Sequence, residues 1–172
     1  MSRLTVGADG ACLNNPGPAG WAWVDEHGNY RVRGLIHGTN NVAELSALLD
    51  ALQDHRDIDD LTIQTDSDYA LNGATTWRVA WERNGMRNSK RKPVANQDLI
   101  RSIWMELDAR KSAALLVHVP GHDPQNRYPL NTAADILADQ AATQEQAGCG
   151  TDRRGKIDLT TVKPRETSYG RW

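Results

Sequence analysis

The sequence predicts an α/β domain with a mixed five-stranded β-sheet flanked by α-helices. Three early strand patterns separated only by short turns indicate antiparallel pairing, because short turns cannot connect parallel strands. The later strand patterns alternate with helical patterns, which indicates strands added in parallel. A length of 172 residues and a hydrophobic content of 39% suit one domain with one core, and the same content excludes general disorder.

The first half of the chain supplies the antiparallel strands and one helix. Alternating apolar residues predict a first strand over 3–11, and a turn rich in Asn, Pro and Gly follows it. Segments 21–24 and 30–37 are predicted to pair as a hairpin. A helix is predicted from about Asn41, because leucines then repeat at helical spacing.

The second half alternates between strands and helices. The predicted strands are 61–66 and 113–119, and the predicted helical segments are 67–71, 77–82, 98–110 and a last helix, capped by Asn131, that ends near Ala142. Residues 143–172 are polar and basic, and we expect a C-terminal tail of uncertain order there, in which only 157–162 has the character of a strand. The predicted organisation is a folded domain over 1–142 and a tail over 143–172.

The net charge of −2 does not by itself indicate a polyanionic ligand, but the distribution of charge does. Between Arg78 and Arg101 there are seven basic and two acidic residues, so this window carries about +5 and the remainder about −7. A nearly neutral total therefore combines a basic segment with an acidic pocket.

Cellular location is predicted from cysteine content and hydropathy. Only Cys12 and Cys149 are present, far apart and outside any metal-binding motif, which fits a reducing compartment. No apolar run is long enough to cross a membrane, and the first residues do not resemble a signal peptide. We therefore expect a cytoplasmic protein without membrane contact.

Four carboxylates lie at the ends of predicted elements. They are Asp9 and Asp66 at strand ends, and Glu44 and Asp135 early in helices. In a sheet-centred fold such positions can converge in one crevice. Four acids there would repel one another unless cations lay between them, and Mg²⁺ or Mn²⁺ prefer oxygen ligands. Two such ions about 3.5–4 Å apart can activate a water molecule and stabilise the leaving oxygen of a phosphodiester.

Each acid also has an ordinary structural interpretation. Glu44 can complete a capping box with Asn41, and Asp66 can cap the helix that follows it. Asp9 can belong to a common turn pair, and Asp135 can simply face solvent. Residue types and positions alone leave these alternatives open.

Six short motifs occur in order along residues 3–142. They are Asp9-Gly10-Ala11-Cys12 with Asn15-Pro16-Gly17-Pro18; Thr39-Asn40-Asn41-Val42-Ala43-Glu44-Leu45; Thr65-Asp66-Ser67-Asp68-Tyr69; Lys92-Pro93-Val94 with Asn96 and Asp98-Leu99; Val119-Pro120-Gly121-His122; and 131–135. In this order and spacing the motifs resemble those of the type 1 ribonuclease H family, and in particular those of its bacterial members. One motif is a weak signal, but the ordered set is specific and favours the functional interpretation of the four acids.

The resemblance implies a ribonuclease H-like fold and an endonuclease that hydrolyses the RNA strand of RNA–DNA hybrids, leaving 5′-phosphate and 3′-hydroxyl ends. It implies two Mg²⁺ ions, with Mn²⁺ as a substitute, bound by Asp9, Glu44, Asp66 and Asp135. The family's loop histidine maps onto His122, whose imidazole can carry protons near neutral pH. The implied partner is the hybrid itself, and we expect the protein to act as a monomer.

The resemblance also implies substrate contacts. Minor-groove contacts map onto Asn15, Asn40 and Asn41, and a phosphate contact maps onto Thr39. The family's basic protrusion maps onto a segment with Arg83, Arg87, Lys90, Arg91 and Lys92, next to Trp77 and Trp81. The alternatives are that the polar residues are ordinary turn and cap residues, the Trp pair packs a core and the basic residues form a solvated face.

The sequence departs from the family pattern at several points. Asp68 adds a negative charge where a neutral residue is frequent, and Pro120 stands where a Lys is frequent. The loop between His122 and Asp135 is longer than in bacterial members, and the residues after Ala142 have no counterpart. One rival function is a hybrid- or duplex-binding module without catalysis, whose signature would be a missing acid, and none of the four is missing. The other is a different nuclease on the same fold, such as an exonuclease or integrase, against which the Asp-Gly-Ala-Cys turn and the basic segment argue.

Overall fold

The computed structural model describes residues 1–165, which form one mixed sheet with helices on both faces. The strands are β1 (Arg3–Cys12), β2 (Gly17–Asp25), β3 (Asn29–Gly38), β4 (Asp60–Thr65), β5 (Leu115–His118) and β6 (Asp152–Lys156). The helices are α1 (Asn40–Asp54), α2 (Asp68–Ala74), α3 (Arg78–Arg83), α4 (Gln97–Ala109) and α5 (Pro129–Gln146), and a short 3₁₀ helix spans Leu159–Thr161. Among residues 1–165, no helix combines the length and the apolar character needed to cross a bilayer.

The sheet has the spatial order β5-β4-β1-β2-β3-β6. Strands β1, β2, β3 and β6 pair antiparallel, whereas β4 and β5 add in parallel on the other side of β1. Because β1 and β4 run side by side in the same direction, their carboxyl ends lie at the same edge of the sheet. Asp9 near the end of β1 and Asp66 directly after β4 are brought together by this topology.

Two hydrophobic clusters hold the helices against the sheet. On one face, side chains such as Leu48, Ile63 and Ile103 join α1, β4 and α4, and all three are fully buried. On the other face, α5 packs its alanines against β2 and β3 around Val24 and Val32. Small side chains let α5 approach the strands closely, so the first turns of α5 reach the central strand β1.

The strand count differs from the five predicted. Residues 152–156 form a sixth strand, β6, which pairs with β3 from Asn29↔Lys156 to Arg33↔Asp152. The sequence Asp-Arg-Arg-Gly-Lys is exposed along its whole length, so it has no apolar alternation from which a strand can be predicted. The segment 157–162, which was expected to have strand character, instead contains the 3₁₀ helix. Helix α5 also continues past Ala142 to Gln146. The division into a domain over 1–142 and a tail stays a prediction.

The predicted cap of the last helix is wrong. Helix α5 begins at Pro129 with Tyr128 as its N-cap, and Asn131 lies inside the first turn. Proline fits the first position of a helix because its φ angle is already helical and its missing N–H has no partner to lose there. Asn131 is thereby buried against the sheet instead of capping the helix.

Candidate active site

Asp9 is the most enclosed of the four carboxylates, with 5% of its surface exposed. Its Oδ1 accepts a hydrogen bond from the backbone N–H of Gly10 at 2.9 Å. A Cβ atom at Gly10 would lie 2.5 Å from the backbone nitrogen of Glu44, so only glycine lets the first turn of α1 lie directly on β1. This close approach brings the start of α1, with Glu44, to the same edge as Asp9.

Glu44 is held by a serine and does not complete a capping box. Its Oε2 accepts a hydrogen bond from Ser67 Oγ at 2.5 Å. Ser67 Oγ also accepts from the backbone N–H of Ala70 and so caps α2. The cap of α1 is Thr39, whose Oγ1 accepts from the N–H of Val42 at 3.1 Å. One hydroxyl therefore fixes both the start of α2 and the direction of Glu44.

Asp66 lies between α5 and the loop that carries His122. Asn131 Nδ2 donates to Asp66 Oδ2 at 3.5 Å, and a Cβ atom at Gly121 would lie 2.6 Å from the same oxygen. The Oδ1 atom of Asn131 is buried without a hydrogen-bond partner among residues 1–165. Asn131 thus presents an unused oxygen acceptor beside the acidic cluster.

Asp135 lies on α5 and faces both His122 and the C-terminal segment. His122 Nδ1 is 3.9 Å from Asp135 Oδ2, and the imidazole is more than half exposed. Arg165 donates to both carboxylate oxygens of Asp135, with Nη2 2.8 Å from each and Nε 3.1 Å from Oδ2. An arginine from the predicted tail therefore contacts a predicted metal ligand.

The carboxylates disfavour one another's ionisation. Burial raises the pKa of Asp9 well above its usual value, and the negative charges of Asp66 and Asp135 raise it further, against the lowering effect of the Gly10 N–H. Burial also raises the pKa of Glu44, with a smaller contribution from Asp66, while the Ser67 hydrogen bond opposes the shift. These four side chains therefore form one electrostatic group that a positive charge would stabilise.

The donor set fits a hard divalent cation in chemistry, although not in its present arrangement. Among residues 1–165, no three His, Cys, Asp or Glu side chains are grouped closely enough to hold an ion as they lie. Asp135 is turned to Arg165, and Glu44 is turned to Ser67. Four carboxylates and the unused Asn131 oxygen are the ligand type that Mg²⁺ and Mn²⁺ take.

The predicted minor-groove residues gather where β1 turns into β2 and α1 begins. Asn15 Oδ1 accepts from the backbone N–H of Asn40 at 3.1 Å and ties the turn to the helix. Asn15 and Asn41 are exposed, whereas Thr39 is half-buried and uses its hydroxyl as the helix cap. These residues form one polar surface next to Glu44.

The basic protrusion is an exposed loop anchored by two buried side chains. Its cations Arg83, Arg87, Lys90, Arg91 and Lys92 are exposed, while Met86 and Val94 are buried and fix the ends of the loop to the core. Arg87 Nη1 donates to the carbonyl of Arg91 at 2.9 Å, so this arginine also shapes the loop. The other four cations face solvent.

The two predicted tryptophans line a groove next to this loop. The ring centroids of Trp77 and Trp81 are 5.2 Å apart, and Trp81 packs partly against the core. The groove continues along Asn84, Arg87 and Asn88. Each tryptophan is half-buried, so the pair is compatible both with packing against the core and with lining a substrate groove.

Three residues at the site were not singled out as functional in the sequence. Ser67 orients Glu44, Asn131 contacts Asp66 and Arg165 contacts Asp135. The spacing of Asn131 and Asp135, four residues apart on one helix, was a usable signal because it places both on one face. No signal in the sequence pointed to Arg165. The departure at Asp68 is accommodated locally, since Asp68 Oδ1 is 3.3 Å from His118 Nε2.

The chain is similar to known proteins over most of its length. The family model for RNase H matches residues 1–143. Ribonuclease HI of Streptomyces coelicolor is 41% identical over 152 residues, covering 85% of this chain and 64% of that protein. Ribonuclease H of Pseudoalteromonas atlantica is 36% identical over 148 residues, covering 83% of this chain and 92% of that protein. This chain thus spans slightly less than two thirds of the Streptomyces protein and nearly all of the other.

A solved structure shares the fold. The crystallised LC11-RNase H1, in complex with an RNA/DNA hybrid, aligns with a TM-score of 0.58 and 24% identity over 84% of this chain and 99% of that one. At that identity the likeness concerns the fold alone.

Proposed function

Because this chain belongs to the RNase H family of hydrolases, we propose that it is an endonuclease that cuts the RNA strand of RNA–DNA hybrids. The observation that carries the proposal is that the parallel pairing of β1 and β4 brings Asp9 and Asp66 to one edge of the sheet, where Asp66 and Asp135 both raise the pKa of the buried Asp9. The four acids stand in the order and context of the family's motifs. LC11-RNase H1, which shares this fold, is itself in complex with an RNA/DNA hybrid.

The proposed metal ligands are Asp9, Glu44, Asp66 and Asp135, for two Mg²⁺ ions with Mn²⁺ as a substitute. When bound, such ions supply a polarised water as nucleophile and neutralise charge on the departing 3′ oxygen. The protein supplies the arrangement of donors. Asp9 is fixed by the Gly10 N–H and Glu44 by Ser67, while Asn131 steadies Asp66.

His122 is the proposed proton carrier. Its imidazole lies on an exposed loop next to Asp135, so it can exchange protons with solvent and with the leaving group. Transfer of a proton to the departing oxygen gives a 3′-hydroxyl end, and attack by water at phosphorus leaves the 5′-phosphate on the other fragment.

Substrate recognition is proposed to use two surfaces. Asn15, Asn40 and Asn41 lie near the start of α1, which carries Glu44, and would read the 2′-hydroxyls and the minor groove of the RNA strand. Thr39, the cap of the same helix, would contact a phosphate. The loop with Arg83, Arg87, Lys90, Arg91 and Lys92, together with Trp77 and Trp81, would hold the phosphates of the DNA strand. We expect a monomer that acts in the cytoplasm.

The test uses three end-labelled duplexes of one sequence: RNA–DNA hybrid, duplex RNA and duplex DNA, each with Mg²⁺ or EDTA. We expect cleavage of the hybrid only, and only with metal. Direct ligation of the fragments, which requires a 5′-phosphate and a 3′-hydroxyl, identifies their ends, and phosphatase treatment beforehand should abolish it. Binding of the hybrid without cleavage would support the rival hybrid-binding module, and equal cleavage of duplex DNA would support another nuclease on this fold.

A further inference from the structure

The chain after β6 is anchored along α5 and forms a strap, defined here as residues 157–165. The N–H of Ile157 donates to the carbonyl of Gly28 at 2.9 Å, and Asn126 Nδ2 donates to the carbonyl of Val162 at 3.0 Å. Ile157, Leu159 and Val162 pack against the hydrophobic cluster under α5. The strap is thus fixed to the body up to Val162, three residues before Arg165.

The guanidinium of Arg165 contacts two acidic side chains of α5. Its Nε and Nη2 donate to Asp135, and its Nη1 lies 2.9 Å from Asp139 Oδ2. Asp135 and Asp139 are four residues apart, so they share one face of the helix. The side chain of Asp135 is 16% exposed and that of Arg165 is 39% exposed, which makes this contact less open to solvent than an ordinary surface ion pair.

Arg165 and a divalent cation require the same atoms. Both carboxylate oxygens of Asp135 accept charge-assisted hydrogen bonds from the guanidinium, so neither can turn to a metal ion without losing one. The guanidinium remains charged at any physiological pH, so it can neutralise the acidic cluster when no metal is bound. Asp139 is not one of the four predicted ligands and offers Arg165 a second partner close by.

We propose that Arg165 competes with the divalent metal ion for Asp135, so that the strap controls metal loading of the active site. The inference rests on the proposed function, because it takes Asp135 to be a metal ligand. In the closed arrangement Arg165 covers Asp135. In the loaded arrangement Arg165 stays on Asp139 and Asp135 turns toward Asp9 and Asp66.

The experiment measures metal binding directly, without nucleic acid. Metal-free protein comprising residues 1–172 is titrated with MnCl₂ in a calorimeter, and the titration is repeated with MgCl₂. Arg165→Gln should bind Mn²⁺ about 3- to 10-fold more tightly, since the loss of one partly shielded, forked ion pair removes the competitor. Lys163→Gln is the matched control, because it removes one positive charge from the same strap, and Lys163 is not among the partners of Asp135 within residues 1–165. Its affinity should stay close to that of the natural chain.

Thermal unfolding separates competition from a merely structural clamp. In EDTA, Arg165→Gln should unfold at a lower temperature than the natural chain, because the acids lose their internal cation. With saturating Mn²⁺ the difference should close, because the variant gains more from the metal. An equal deficit in both conditions, with unchanged Mn²⁺ affinity, would mean that Arg165 is only a clamp and would overturn the inference.

Asp135→Asn distinguishes failure of this inference from failure of the proposed function. Weaker Mn²⁺ binding by Asp135→Asn, combined with unchanged binding by Arg165→Gln, rejects the strap and keeps the metal site. Unchanged binding by Asp135→Asn rejects Asp135 as a ligand and so contradicts the proposed metal site itself.

Discussion

At the scale of single residues, Asp9 is the position whose replacement tests the candidate site most directly. It is buried and feels the charges of both Asp66 and Asp135. Asp9→Asn keeps the shape of the side chain and removes its charge, so we expect hybrid cleavage to fall by roughly 10³-fold or more. Initial rates on labelled hybrid at saturating Mg²⁺ give the effect, and circular dichroism controls for folding. Near-normal hydrolysis would contradict the four-acid site.

The same substitution should stabilise the metal-free protein in a pH-dependent way. The pKa of Asp9 is raised in the folded state, first by burial and then by Asp66 and Asp135, so folding favours the protonated carboxyl. Its contribution to stability is therefore present below the unfolded pKa and is lost as the pH rises through the folded pKa. At neutral pH in EDTA, Asp9→Asn should have the higher free energy of unfolding.

Urea unfolding at several pH values measures this difference. The advantage of Asp9→Asn should shrink as the pH falls and vanish near pH 3, below the unfolded Asp pKa of about 3.9, where the natural carboxyl is protonated in both states. An advantage that is constant with pH would show that packing, and not charge, separates the two proteins.

His122→Ala should slow turnover without preventing hybrid binding. An assisting proton carrier contributes typically about 10²–10⁴-fold. The exposed imidazole lies next to Asp135 on a loop, so its loss should leave the fold intact. We expect a lower kcat with a nearly unchanged KM, and partial recovery when free imidazole is added. A kcat identical to that of the natural chain across neutral pH would leave His122 as an ordinary loop residue.

Individual side-chain contacts were the least predictable level. The sequence allowed Glu44 to complete a capping box with Asn41, whereas Thr39 caps α1 and Glu44 turns to Ser67. Glu44 and Ser67 are 23 residues apart in sequence and meet only because α1 and β4 lie next to each other in the fold. Helix periodicity describes contacts within one element, and a contact between two elements depends on how they pack.

At the scale of elements, the basic loop is the part of the proposed substrate surface that can be tested by charge. Changing Arg83, Arg87, Lys90, Arg91 and Lys92 to Ala should raise the KM for hybrid and flatten its dependence on salt. On B-form duplex, each phosphate contact contributes about 0.9 log units per tenfold change in salt. Because the four acids are untouched, kcat should change much less. The measurement is KM and kcat across a salt series.

Two single variants show whether the effect depends on the position of the removed charge. Lys92→Ala removes a cation from the exposed loop, and Lys111→Ala removes one beside Asp59, at the amino ends of β4 and β5. Only the first should change the salt dependence of KM. If both variants keep the natural slope, the loop is a solvated face, and the DNA strand must bind elsewhere.

Elements with an apolar pattern were predicted, and elements without one were not. Strand β4 alternates buried and half-buried residues after Asp60, β1 begins in the same way over residues 4–6, and α1 repeats its leucines at helical spacing. Strand β6 has only exposed side chains, and it is held by backbone pairing to β3 and by the ion pair of Arg154 with Asp54. Neither backbone pairing nor a single ion pair requires a periodic pattern of apolar residues, so neither can be recognised from the sequence.

At the scale of the whole molecule, the mixed sheet followed from the order of its strands. Short turns required β1, β2 and β3 to be antiparallel, and the helical connections required β4 and β5 to be parallel. Convergence of Asp9 with Asp66 followed in turn, because neighbouring parallel strands end at the same edge. The contact of Arg165 with Asp135 did not follow, since it depends on how residues 147–165 return across the fold.

Removal of the C-terminal segment tests how much β6 and the strap contribute to the stability of the fold. A chain that ends at Gly150 keeps α5 whole and loses β6 and the strap, so it should be less stable by roughly 1–3 kcal/mol, or about 2–10 °C in Tm. Hybrid cleavage should remain, because the RNase H family model ends at residue 143. Differential scanning calorimetry and a cleavage assay give both results. Loss of the cooperative transition would show that the segment belongs to the folding core.

Strand β6 also has a consequence for contacts between molecules in solution. It occupies the hydrogen-bonding edge of β3 over 29–33, and its own outer edge carries Arg153, Arg154 and Lys156. Like charges on an outermost strand oppose the approach of a second sheet edge, which is how many proteins avoid growing into aggregates. The chain that ends at Gly150 would expose the β3 edge, so we expect its light scattering to rise with concentration at ionic strengths where the full chain remains clear.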